Sequence, residues 1–322
     1  MLALFRTNQA YAGLLLFVYA LVLWLPYYLT GAPMTTEVPG EGVLGESLTE
    51  MLAGSPVPAY LLSVLLVGLQ GLQANAWAGR HRLSRQVTQF PGLFVVLTTS
   101  LVAGGHGTHS FHLANVLLLF TLLALGRLYK REEPAVALFN AGAWLGLATL
   151  LRPGYLLFLP ACLMAIAILR RLDLRSVLQL LTGLGLVYFF LAVTGYLNGN
   201  WRAYFDLQLS PFGLASFQAA PADALAGLGA LALLLLAVLL FFSRIGVMLN
   251  IEGSKNLNLL GWFLLWAGVA ALFAPELTAG HAQYLVVPLG ILLGLGVLRL
   301  RKRQAEVVHF LLLVVVWLPL VI

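Results

Sequence analysis

The feature that most constrains this chain is a succession of long apolar runs, each ended by charged residues or by Gly and Pro. The first covers residues 11–29. About 20 residues of α-helix rise about 30 Å, which matches the hydrocarbon thickness of a bilayer. Further runs cover 58–78, 87–104, 110–125, 135–151, 155–169, 177–197, 224–242, 257–273, 283–298 and 307–322. This predicts about eleven spans, bounded by ten and twelve, with the short pair on either side of Arg152 the least regular. The runs are continuous rather than alternating and rich in Leu, Ala and Gly, which argues against spanning strands. Water is excluded as the solvent for such a fold. Hydrophobic residues make up 61% of the chain, charged residues 9%, and the mean hydropathy is +0.94. A soluble domain carries about a quarter of its residues as charges. The expected fold is therefore all-α, a polytopic transmembrane helical bundle forming one integral membrane domain over residues 1–322. No soluble domain, linker or clear repeat interrupts it, and the longest aqueous stretches are 30–57 and 198–223.

Lys and Arg collect in short cytoplasmic loops. With the N-terminus inside, 16 of the 18 basic residues fall on the cytoplasmic side: Arg6; Arg80, Arg82 and Arg85; Arg127, Lys130 and Arg131; Arg170, Arg171 and Arg175; Arg244 and Lys255; Arg299, Arg301, Lys302 and Arg303. Only Arg152 and Arg202 fall outside. The net charge of +6 is thus a topology signal, and no basic stripe suggests nucleic acid. The first run is longer than a typical signal-peptide core and lacks a good cleavage site after it, so it is expected to remain as a span. Cys162 is the one cysteine and lies within a span, so no disulfide framework is expected.

The unusual polar groups gather on the expected outer side. The first outer loop holds Glu37, Glu41, Glu46 and Glu50 and no basic residue. Such carboxylates can bind a divalent metal or act as a general base, or they form a solvated acidic loop. Residues 46–52 read as a short interfacial helix. His106, His109 and His112 recur at every third position; two of them on one helix face could hold a metal, and a polar interfacial turn is the alternative. Arg152, followed by Pro153, Gly154 and Tyr155, lies where charge is costly and should face a cavity or partner, as a phosphate clamp or by snorkelling to the interface. Trp201 reads as an interface marker, with Arg202 and Asp206 spaced to pair on a helix. Glu276, His281 and Tyr284 add a further polar group, while Gln70, Gln73 and Asn75 read as interhelical hydrogen-bond partners. Asp and Glu are absent from every expected span, which disfavours an ion-driven carrier.

Two resemblances follow. Gly146-Leu147-Ala148-Thr149-Leu150-Leu151-Arg152-Pro153, then Pro160, then Arg170-Arg171, resembles a hairpin of GT-C glycosyltransferases, multi-spanning enzymes that move sugars from polyprenyl-phosphate donors at the outer face. The likeness covers about 30 residues. Leu4-Phe5-Arg6, residues 75–85, and the Arg152 hairpin with Leu172-Asp173-Leu174-Arg175 resemble an uncharacterised multi-pass inner-membrane protein family of Bacteroidota, a domain of unknown function. The first resemblance implies a bacterial inner-membrane protein whose outer mouth binds a polyprenyl-phosphate-linked sugar. Glu37 or Glu41 would hold a divalent metal or act as base, and Arg152 and Arg202 would hold phosphate. GT-C enzymes usually carry an Asp or an acidic pair in the first outer loop, and many have a large outer soluble domain. This chain has Glu37 and Glu41 there and no such domain. Either a Glu replaces the base or the chain is a non-catalytic relative. Two other readings stand beside it: a non-enzymatic scaffold subunit of an envelope assembly with membrane-protein partners, and a membrane oxidase holding metal through His106, His109 and His112, with Glu37 as a further ligand candidate.

Overall fold

In the computed structural model, the described residues are 2–7, 9–32, 34–35, 38–84, 87–129, 134–209, 212, 216–217, 222–247, 249–273 and 276–320. They form a bundle of α1 (Ala10–Leu29), α2 (Val43–Leu52), α3 (Pro56–Arg80), α4 (Phe90–Ser100), α5 (His109–Leu125), α6 (Ala135–Leu151), α7 (Leu159–Leu169), α8 (Leu174–Leu197), α9 (Trp201–Leu209), α10 (Ala222–Gly246), α11 (Ile251–Leu272), α12 (Val286–Val297) and α13 (Lys302–Trp317). A two-residue parallel pairing joins β1 (Ser216–Phe217) to β2 (Glu276–Leu277). Every apolar run carries a helix. Seven of these helices are long and apolar enough to cross a membrane, and four are shorter.

The short helices have a physical reason. α4 is buried along its whole length, as is nearly all of α12, and the two pack against each other. At 1.5 Å per residue they rise only about 16–18 Å, less than the roughly 30 Å of hydrocarbon. They are inner helices, whose ends find hydrogen-bond partners within the protein. The expected run 87–104 is therefore a helix only over Phe90–Ser100, and the expected run 155–169 opens as a 3-10 turn, Pro153–Phe158, before α7. The capping residues account for two starts that hydropathy misses. Asp173 accepts from the Ser176 backbone N–H to start α8, and Asn250 accepts from Gly253 to start α11 six residues before its apolar run.

Lipid gives helices no hydrophobic reason to associate, so close approach and hydrogen bonds must hold them. α6 and α8 form the most extensive helix pair. A Cβ on Gly142 would overlap the Leu180 carbonyl, and one on Gly183 the Phe139 carbonyl, so backbone meets backbone. α3 meets α5 and the turn that precedes it through polar groups spaced seven residues apart. Ser63 donates to the His106 carbonyl, Gln70 to the His112 carbonyl and Trp77 to the Leu122 carbonyl. Gln70 and Asn75 thus act as interhelical partners, Asn75 accepting from the Gly92 N–H at 2.7 Å.

The connections sort onto two faces. On one, Gly42 N–H donates to the Leu151 carbonyl, Gln208 of α9 to the Thr149 carbonyl, and β1 pairs with β2. On the other, Gln89 N–H donates to the Phe5 carbonyl, His81 meets Glu252 at 3.1 Å, and Arg299 caps the end of α10. Arg152 and Arg202 lie with the first group, and Arg6, Arg82, Arg244, Lys255 and Arg299 with the second.

Candidate functional site on the Arg152 face

The loop between α1 and α2, expected on the outer side, is clamped onto the bundle by a residue 111 positions further along the chain. α6 ends at Leu151 because Pro153 cannot continue the helix, and this places Arg152 at the break in an extended conformation. Its side chain is fully buried. Nε donates to Ser110 Oγ at 3.0 Å, Nη1 to the carbonyls of Val38 and Pro39 at 2.7 and 3.0 Å, and Nη2 to Glu41 Oε1 at 2.7 Å. The guanidinium also lies 4.2 Å from the centre of the Phe111 ring. Four of the five N–H donors of an arginine are thereby used on protein.

Glu41 is held equally firmly. Ser110 donates to Oε1 at 2.6 Å and Thr49 to Oε2 at 2.9 Å. Ser110 bridges the pair, since it accepts from Arg152 and donates to Glu41. Its position at the start of α5 follows from the 3-10 turn Gly105–Gly107, which leads into the helix. Thr49 comes from α2, which packs on α5 and α6 and contains the short helix expected at residues 46–52. A cavity of about 540 Å³ opens beside this network, lined by Val38, Pro39, Gly40, Glu41, Glu46, Thr49 and Glu50. Partial desolvation, with Glu41 and Glu50 nearby, raises the Glu46 carboxyl above the usual carboxylate range.

An aromatic wall backs the network. Tyr284 and His281 meet Phe111 edge-on at 4.9 and 6.4 Å between centres, and Tyr155 sits 4.9 Å from Tyr284 and donates to Asn115 Oδ1 at 2.7 Å. Burial pulls the His281 imidazole down to about 4, and the Arg152 charge adds to this. His281 also hydrogen-bonds the Pro39 backbone, so Arg152 and His281 hold the same loop.

The expected site residues thus divide. Glu41, Arg152, Tyr155 and His281 come together. Glu37 lies outside the described residues. Arg202, Trp201 and Asp206 lie exposed on α9, and Arg202 contacts the Trp201 ring at 5.4 Å. Glu276 is exposed on β2. Arg152 is not the open phosphate clamp its surroundings in sequence suggest, because its donors already face Glu41, Ser110 and two carbonyls. The three histidines do not converge. His106 stacks on Tyr27 at 4.8 Å, His109 Nδ1 meets Ser63 at 3.1 Å, and His112 Nε2 lies 2.7 Å from the Gly105 carbonyl with its ring on Trp24. Among the described residues no group of three His, Cys, Asp or Glu side chains is placed to hold a metal, so the histidine oxidase reading loses its triad. Ser110, Thr49, Phe111 and Asn115 escaped sequence reasoning, since a hydroxyl or ring near an apolar run carries no signal until its neighbours are known.

Fold and composition together define a multi-pass helical membrane protein. Its architecture is similar to that of ArnT from Cupriavidus metallidurans, whose crystal structure holds undecaprenyl phosphate. The TM-score is 0.55 at 14% identity, over 94% of this chain. The chain spans 63% of the length of ArnT. No protein-family model and no curated protein sequence matches the chain, so the likeness to the Bacteroidota family rests on the quoted residues alone.

Proposed function

We propose that this chain is a GT-C-like protein of the bacterial inner membrane that binds a polyprenyl-phosphate-linked sugar at its outer face. The observation that carries the reading is the anchoring of a first-loop carboxylate, Glu41, by Arg152 and Ser110 beside a cavity, in a fold similar to one that binds undecaprenyl phosphate. Glu41 is the candidate base, or the metal ligand should a divalent ion bind. Arg152 is a positioning residue, which fixes Glu41 and the loop through Val38 and Pro39. The exposed Arg202 is left as the cation for the donor phosphate, because charge-assisted contact to phosphate requires a guanidinium with free donors. Glu37 remains a second candidate acid.

The test is binding and transfer with purified full-length protein in mild detergent. Undecaprenyl phosphate should bind well above the neutral alcohol undecaprenol, and Arg202→Gln should weaken that binding about tenfold, the value of one charge-assisted contact. Glu41→Gln should retain lipid binding and abolish sugar transfer from a lipid-linked donor. Equal binding of the phosphate and the alcohol would overturn the reading. The occupation of both Glu41 oxygens favours a second reading, a non-catalytic relative serving as a scaffold subunit. That reading predicts lipid binding without transfer, and a partner that co-purifies equally with wild type and Glu41→Gln.

A further inference from the structure

We infer that the face opposite the Glu41–Arg152 network carries a docking surface for an anionic glycerophospholipid, built where the end of α10 meets the start of α13. Arg301, Lys302 and Arg303 follow one another into the first turn of α13, Arg244 lies in the last turn of α10, and all four are exposed. Arg299 fastens the two helix ends together, its guanidinium donating to the carbonyls of Arg244 and Ile245. That contact fixes the cations as a group.

Among the described residues the cluster has no counter-charge of its own. No acidic residue lies in the first turn of α13. Among the described residues none of the four exposed cations meets a carboxylate. Glu306, a turn further on, accepts from the Leu2 backbone N–H at 2.9 Å. Helix dipoles sharpen the problem, because the start of a helix is its positive end and repels cations placed there. Three consecutive cations at that end, unpaired among the described residues, make the cluster a receptor for an added anion.

The surroundings identify the anion's source. Directly beyond the cations the two helices expose Leu239, Leu240 and Phe241 on α10 and Val307, Phe310 and Leu311 on α13. Only 22% of the apolar stretch of each helix is buried. The basic cluster therefore continues into an apolar wall, which suits a phosphate headgroup with acyl chains along α10 and α13. Basic clusters at the ends of spanning helices hold anionic lipids by the same physics. The loop between α7 and α8 differs. There Asp173 lies among Arg170, Arg171 and Arg175 and supplies charge within the loop.

The test uses full-length protein in mild detergent, with native mass spectrometry reading bound phosphatidylglycerol against phosphatidylcholine. Wild type should retain phosphatidylglycerol. The triple variant Arg301→Gln/Lys302→Gln/Arg303→Gln should bind it at least tenfold more weakly, and Arg171→Gln/Arg175→Gln should stay within twofold of wild type. Should the triple variant not fold, Arg244→Gln alone should weaken binding about threefold. Raising salt to 0.5 M should weaken wild-type binding more than that of the triple variant. Equal losses in both basic loops would reduce the effect to diffuse charge and overturn the inference. So would unchanged retention in the cluster variants, or loss from them of an acidic protein instead of lipid. None of these outcomes bears on sugar transfer, so this inference and the transferase reading fail separately.

Discussion

Replacing Arg152 by Met tests the centre of the structure. The substitution retains an unbranched side chain of moderate length and removes the guanidinium. Glu41 then loses its ion pair at 2.7 Å, and the carbonyls of Val38 and Pro39 lose the donors that the buried guanidinium supplies. Removing one partner of a buried ion pair costs about 3–5 kcal/mol, chiefly because the other charge is left uncompensated. Each 1.4 kcal/mol is tenfold in an equilibrium constant, so the folding equilibrium should move by about a hundred to a few thousand fold. The measurement is equilibrium unfolding in mixed micelles by titration with sodium dodecyl sulfate, followed by tryptophan fluorescence. The double variant Arg152→Met/Glu41→Leu separates charge from packing. An apolar pair removes the orphaned charge, so it should recover about 2 kcal/mol or more of the sum of the single losses. Complete recovery is not expected, since the two carbonyls stay without donors. A loss below about 1 kcal/mol for Arg152→Met, or strict additivity in the double variant, would refute the strut.

Three other outcomes follow from the same geometry. Gly142→Leu should drive α6 from α8, because its first side-chain atom already overlaps the Leu180 carbonyl; Gly185→Ala, facing open space, should leave the unfolding curve nearly unchanged, and similar behaviour of the two would count against the close packing. His281 is held near 4, below its ordinary value of 6.5, so the unfolded chain takes up a proton before the folded one as pH falls. Its contribution to stability should therefore be constant above about pH 7 and decline by an amount of order 3 kcal/mol down to pH 4, with His281→Gln flattening that part of the profile. Sidedness is read by labelling with a membrane-impermeant maleimide in a Cys162→Ala background. Asp206→Cys should react from outside intact spheroplasts and Lys302→Cys only after permeabilisation, and the reverse pattern would invert the orientation.

Much of the architecture was legible because it depends on local composition. A run such as 177–197 must be a helix in lipid, since no other backbone conformation satisfies its own N–H and C=O groups there. Even so, inner and lipid-facing helices looked alike: α4 and α10 are both strongly apolar stretches, yet α4 is wholly buried and α10 mostly exposed. Which helices are wrapped by others depends on packing, which apolar content does not encode. The histidine spacing misled for a related reason. Periodicity places side chains on a helix face but says nothing of what faces them, and here Tyr27, Ser63 and Trp24 each take a different ring.

For the site, the sequence by itself determined that Arg152 is a costly charge in an apolar setting and that Glu41 lies in an acidic loop on the same side. Only the tertiary structure decided that each is the other's partner. An isolated arginine at a helix break has several ways to be satisfied, by water, phosphate, carbonyl or carboxylate, and their relative free energies depend on what the fold brings within hydrogen-bond reach. Folding the loop between α1 and α2 onto the ends of α5 and α6 selected the carboxylate and two carbonyls. It thereby changed an apparent phosphate clamp into the strut that holds the candidate base.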